Sequence, residues 1–289
     1  MQNTRKHYSS SRLILVGLIL ALGITRCSFF SPAPPPDLSG RILLGGSGAA
    51  YPALQVLTSK FVEQNPHVTV VYETTSQTAA AIKFVAEERI DIGLIARTLN
   101  ESEKQFDLKE ISIARDAVII ATNPSVWITN LTSSQVRDIF NGTIHSWAQV
   151  GGAAREIVVL DRVEGETAKI ALRRHVLGAD LPVLADVIVL PTEKDMYRAT
   201  AMVPDAIGYF SLTYAIQNPN KVNVLMLDGV APALETIHSG AYRIIRPIGI
   251  VVNPKRMNTS PLREFLTFLN SDAARVALTQ SGLVPEVTQ

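Results

Sequence analysis

The chain has 289 residues, 47% of them hydrophobic and 6% aromatic, with a formal net charge of +1. That length and apolar content suit a globular α/β protein of one large or two medium domains. Arg5, Lys6, Arg12 and Arg26 all precede the only cysteine, Cys27, in a stretch without an acid, so the remainder is mildly acidic. An acidic body argues against nucleic acid as a partner, and a lone cysteine rules out an internal disulfide.

In chain order, "MQNTRKHYSSSR" is a basic leader and "LILVGLILALGI" an apolar run of signal-peptide length, shorter than the roughly 20 residues of a membrane span. Cys27 follows directly and resembles the lipidation cysteine of a bacterial lipoprotein, although Arg26 stands where a small residue is usual. The alternative is an uncleaved anchor with an inert Cys27. Residues 1–26 read as a signal peptide and 27–40, containing "SPAPPPDLSG", as a proline-rich tether.

From Gly40 onward strand and helix patterns alternate. "RILLGG" is a strand that runs into a glycine turn. Residues 52–65 place Leu54, Leu57, Phe61 and Val62 on one helical face, with Pro52 in the first turn. "HVTVVYE" is a strand, "AAAIKFVAEE" a helix, "IDIGLIA" a buried strand and "SIARDAVIIATNP" another strand. "SSQVRDIFNG" is a short helix with Ser133 or Ser134 as cap and Gly142 as stop. "REIVVLDR" is a strand and "ETAKIALRRHVL" a helix; "AIGYFS", "VNVLML" and "YRIIRPIGIVVNP" are strands. A long helical stretch, breaking near Ser271, closes the chain. Alternating βα units predict a mostly parallel sheet covered by helices.

Catalytic patterns are absent from this sequence. Gly45-Gly46-Ser47-Gly48-Ala49 lacks the last glycine of a nucleophile elbow. Tyr51 stands where a dinucleotide-binding turn needs a small residue. The five histidines are far apart with no ligand spacing, so no metal, cofactor or enzymatic activity is expected. Anion-binding features are present instead, at the carboxyl ends of strands, where open α/β sheets hold ligands. They are the turn at 45–51 with Ser47, the hydroxyl-rich "TTSQTAAAIK", Arg97 at the end of "GLIARTL", and "VVLDRVEGETAK" with Arg162, Gly165 and Thr167.

These blocks, in this order, resemble the phosphate-binding proteins of bacterial ABC phosphate transporters. The resemblance spans about 41–285 and is strongest in "LTSSQVRDIFNGTIHSWAQVGG", residues 131–152, with support from "GGSGAAYPAL", "IDIGLIARTL", "AIGYFSLTYA" and "RPIGIVVNP". It implies a type II periplasmic-binding-protein clamshell, two α/β lobes joined by two crossing strands near 121–124 and 246–254. Lobe one would be 41–122 plus 247–289 and lobe two 123–246. It further implies ligand contacts from Ser47, the backbone N–H groups of Ala50 and Tyr51, Thr78, Arg97, Arg162, Gly165, Glu166 and Thr167. Arg162 matches the family's anion-clamping arginine. Ala50 replaces a frequent threonine, Ala96-Arg97 replaces Ser-Arg or Ser-Asp, and Gly165-Glu166-Thr167 is one residue shorter than the family's Gly-Ser-Gly-Thr.

Glu166 puts a negative charge beside the expected anion. It either turns outward to support the helix start, accepts a proton from monohydrogen phosphate, or marks a change of ligand. The implied function is capture of an inorganic oxyanion, phosphate before others, by an exported monomer held to the membrane by lipid, for delivery to an ABC permease. The alternative is a sensory, adhesion or scaffold protein that keeps the fold without tight anion binding.

Overall fold

The computed structural model describes residues 38–73 and 77–286. The expected signal peptide, Cys27 and almost all of the tether lie outside the described residues, as does the Thr74–Ser76 part of the hydroxyl-rich stretch. Among the described residues no helix is long and apolar enough to cross a membrane.

The strands are β1 (Ser39–Gly46), β2 (His67–Tyr72), β3 (Ile92–Ile95), β4 (Lys109–Thr122), β5 (Asn130–Leu131) and β6 (Val158–Arg162). They continue with β7 (Ile188–Leu190), β8 (Ala206–Ser211), β9 (Asn223–Val224), β10 (Met226–Leu227), β11 (Ile245–Val252) and β12 (Val284–Pro285). The helices are α1 (Tyr51–Gln64), α2 (Thr78–Ala86), α3 (Ser133–Phe140), α4 (Thr167–Leu172), α5 (Glu193–Met202), α6 (Leu212–Gln217), α7 (Leu234–His238), α8 (Leu262–Phe268) and α9 (Asp272–Gln280).

One sheet runs β2-β1-β3-β11-β4-β8-β6-β7, with β9 and β12 also paired to β4. The β1–β2, β1–β3, β6–β7 and β6–β8 pairs are parallel, as alternating βα units require. β11 is inserted antiparallel between β3 and β4, and the sheet changes sense at the antiparallel β4–β8 pair. β4 is 14 residues long. Its first part pairs with β11 and β12, and its last residues pair with β8 and β9.

The apolar side chains collect on either side of this central pair. One core is built from residues between Ile42 and Ala114 together with Ile248 to Leu283. The other is built from Ala117 to Ile244, with Val284. Ala117–Ala121, assigned to lobe one from the sequence, therefore pack in the second core. In the first core, α1 buries Leu54, Leu57 and Phe61, the face that its spacing predicts. Phe61 meets Phe265 edge-on at 5.2 Å and Phe268 at 5.5 Å. Each such side chain contributes about 1.5–3 kcal/mol by leaving water.

In the second core the cap of α3 is Thr132, one residue earlier than expected. Its hydroxyl accepts from the Gln135 amide, and the Gln135 side chain accepts from the Thr132 amide, a reciprocal capping box. Trp147 is buried, and its indole N–H donates to the Asp205 carbonyl at 3.1 Å, which pins residues 131–152 to the start of β8. The expected helix at 166–177 is instead α4 followed by a π-helical turn, Arg173–Leu177.

Candidate functional site

The turn after β1 is shaped by Gly46, whose φ is 137°. A Cβ there would stand 2.4 Å from the Leu94 carbonyl oxygen and 2.7 Å from the Ala81 Cβ, so only glycine lets β1, β3 and α2 approach so closely. Ser47 is then held by its own amide, which donates to the Leu94 carbonyl at 2.9 Å. Its carbonyl accepts the Ala50 amide at 3.0 Å, closing the turn. The Ala50 N–H is thus spent within the turn. Tyr51 starts α1 and lines a different recess with Tyr197 and Tyr214.

Ser47, Thr78, Arg97, Gly165, Glu166 and Thr167 do come together. With Gln77, Ala79 and Val163 they line a cavity of about 160 Å³. The lining comes from the ends of β1, β3 and β6 and the starts of α2 and α4, so both cores contribute a wall. Water occupies about 30 Å³ per molecule in the liquid, so this space suits a small hydrated anion or a few waters. The first amides of α2 have no partners within the helix, and Ala79 is among them.

The charges are largely paired. Arg97 grips Glu103 with two bonds of 2.7 Å. That bond lowers the Glu103 carboxyl below its usual range. The side chain of Arg162, the expected anion-clamping arginine, is only 3% exposed and pairs with Glu166. One Nη of Arg162 lies 2.8 Å from a Glu166 oxygen and donates to the Pro191 carbonyl at 3.4 Å. Its Nε and other Nη are buried with no partner among the described residues. Glu166 occupies the N-cap position of α4 without capping it; the carboxylate turns to Arg162 rather than outward.

Around Arg162 a second layer fixes the strand end. Its amide donates to the Tyr209 hydroxyl at 3.0 Å, and that hydroxyl donates to Asp161 at 2.6 Å. Lys169, fully buried, pairs with Asp161 at 2.5 Å. Where β4 and β11 pair side by side, Arg246 pairs with Asp116 and Glu193, each at 2.7 Å, and its other Nη donates to the Thr167 hydroxyl at 3.2 Å. Burial pushes Asp116 up to about 6, against the pull of Arg246. None of Asp161, Lys169, Tyr209, Asp116, Glu193 or Arg246 was singled out from the sequence. Apart from the Asp161–Lys169 pair, their partners are distant in the chain, and no local spacing marks them. Among the described residues no group of His, Cys, Asp and Glu could hold a metal ion.

The folded body has the type II periplasmic-binding-protein architecture, and the chain belongs to the PBP superfamily, whose domain model matches residues 31–273. Within that class its relatives are phosphate-binding proteins. The phosphate-binding protein PstS of Borreliella burgdorferi is 27% identical over 250 residues, covering 84% of this chain and 89% of that one. PstS of Bacillus subtilis is 26% identical, covering 86% and 81% respectively. Among solved structures, a phosphate ABC transporter substrate-binding protein of Clostridium perfringens with bound phosphate superposes with a TM-score of 0.76 at 25% identity, over 86% of this chain and all of that one. An ABC-type phosphate transport receptor of Vibrio cholerae has a TM-score of 0.64 at 24% identity, with 86% of this chain covered.

Proposed function

We propose that this protein is an extracytoplasmic carrier that captures inorganic phosphate between two lobes and presents it to an ABC permease, without breaking a bond. The observation that carries this is the buried Arg162. Two of its guanidinium nitrogens lack partners among the described residues, and it pairs with Glu166, which lines the cavity with Ser47, Thr78 and Thr167. An unsatisfied buried donor costs about 1–3 kcal/mol, and an oxyanion is the group that would satisfy it bidentately. The relatives named above support phosphate as that oxyanion.

In this reading β4 and β11 are the crossing strands, and the two cores are the lobes. With residues 1–26 removed as a signal peptide, lipidated Cys27 and the tether would hold the carrier at a membrane. Replacing Cys27 with serine should release it; retention with an intact N-terminus would favour the uncleaved anchor. The Arg162–Glu166 pair favours a second reading, a protein that keeps the fold but binds anions weakly because its own carboxylate holds the arginine. Titration calorimetry of the intact protein with orthophosphate separates the two. A saturable, stoichiometric heat supports the carrier, and none up to millimolar phosphate supports the second reading.

A further inference from the structure

Behind the first cavity lies another of about 160 Å³, and the two share Arg97 and Thr167 as common walls. The second is lined also by Arg174, Arg246 and Ile170. Of the arginines around both cavities, Arg97 is held by Glu103, Arg162 by Glu166, and Arg246 by Asp116 and Glu193. The Arg174 side chain, exposed at the rim of the second cavity, alone among them has no hydrogen bond or ion pair to the side chains of the described residues.

The local backbone explains the difference. Arg173 and Arg174 both sit in the π-helical turn after α4. Arg173 turns to Glu164 and to the carbonyls of Gly178, Ala179 and Leu181. Arg174, its neighbour, lines the second cavity. Single π turns within helices are frequent at functional sites. Beside it, His175 is held below the usual imidazole range by burial first, then by Arg174 and Arg243.

We propose that the cleft accepts oxyanions that carry a second acidic group, with the phosphoryl head in the first cavity and a carboxylate on Arg174 in the second. The ligand class is a small phosphonate or phosphate ester bearing a carboxylate a few bonds away. This deepens the phosphate reading and rests on it. A guanidinium at a cavity mouth is partly screened, so the gain from such a contact is modest, about fivefold in affinity.

The experiment is titration calorimetry of the intact protein and of Arg174→Ala and Arg174→Lys with orthophosphate, methylphosphonate and phosphonoacetate. The parent should prefer phosphonoacetate over methylphosphonate by about fivefold. Arg174→Ala should erase that preference and leave methylphosphonate and orthophosphate within about twofold of the parent; Arg174→Lys should keep part of it. Equal affinities in the parent, or equal weakening of all three probes by Arg174→Ala, would overturn the subsite. In either case saturable orthophosphate binding leaves the phosphate reading standing. Phosphonoacetate bound through Arg174 without orthophosphate binding would support the subsite and remove phosphate as the solute. Binding of no probe overturns both.

Discussion

The Glu166 carboxylate lies 2.8 Å from the Arg162 guanidinium, so the arginine best suited to hold an oxyanion already holds one of the protein's own. The pair is four residues apart across the β6–α4 junction, and the arginine is nearly inaccessible while the glutamate is about a quarter exposed. An entering anion must either displace that carboxylate or share the site with it.

Arg162→Ala should weaken orthophosphate binding by about 10- to 150-fold, the range of a charge-assisted hydrogen bond worth about 1.5–3 kcal/mol. Calorimetry at fixed pH reads this directly. Parent-like affinity would place the anion elsewhere.

Glu166→Gln should tighten phosphate about five- to tenfold at pH 7.5, because it removes a like charge from the cavity wall, worth about 1 kcal/mol or somewhat more. Weaker binding in the variant would instead identify Glu166 as the acceptor of the ligand's proton.

Gly46→Ala should destabilise the fold by about 2–4 kcal/mol, since it combines a positive φ with a Cβ driven into the β3 backbone. Urea denaturation measures the loss. A smaller effect would mean that β3 can shift away from β1.

Asp116 predicts a pH effect of definite sign. Its folded-state value is raised to about 6 from an ordinary 3.8, with burial as the main cause. The folded protein therefore holds this proton more tightly than the unfolded chain. The contribution is fully present below the unfolded value and is lost as pH rises through about 6. Asp116→Asn lacks that titration. Its stability relative to the parent should accordingly rise between pH 4.5 and pH 7.5, as read by urea midpoints at the two pH values; a flat difference would show that Arg246 keeps Asp116 ionised throughout.

Much of this architecture was readable because local chemistry marks it. Pro52 and the spacing of Leu54, Leu57 and Phe61 define α1, and the glycine turn after β1 is written in Gly45, Gly46 and Gly48. Ser47, Arg97, Gly165 and Thr167 stand at strand ends or helix starts, which converge in a sheet of this kind, while Thr78 and Glu166 were named through the family resemblance. The pairing of charges was not readable. Arg246 and Asp116 are 130 positions apart, and nothing in either neighbourhood names the other. Helix α5 was missed because "EKDMYRATAM" buries only Glu193, Met196 and Thr200, a weak apolar stripe. With it went Glu193, whose carboxylate accepts the Ser211 amide and shares Arg246.

The position of β11 has a consequence for how the chain acquires its shape as it emerges from the N-terminus onward. The second core draws almost wholly on one continuous run, from Ala117 to Ile244, and can consolidate as soon as that run is available. The first core cannot, because the strand that separates β3 from β4 is supplied only by residues Ile245–Val252, and its covering helices come later still. Until then β3 and β4 present unpaired edges, the kind of surface on which unfinished chains associate. The half made first is thus completed last, and a chain stopped short of β11 would be a sticky one.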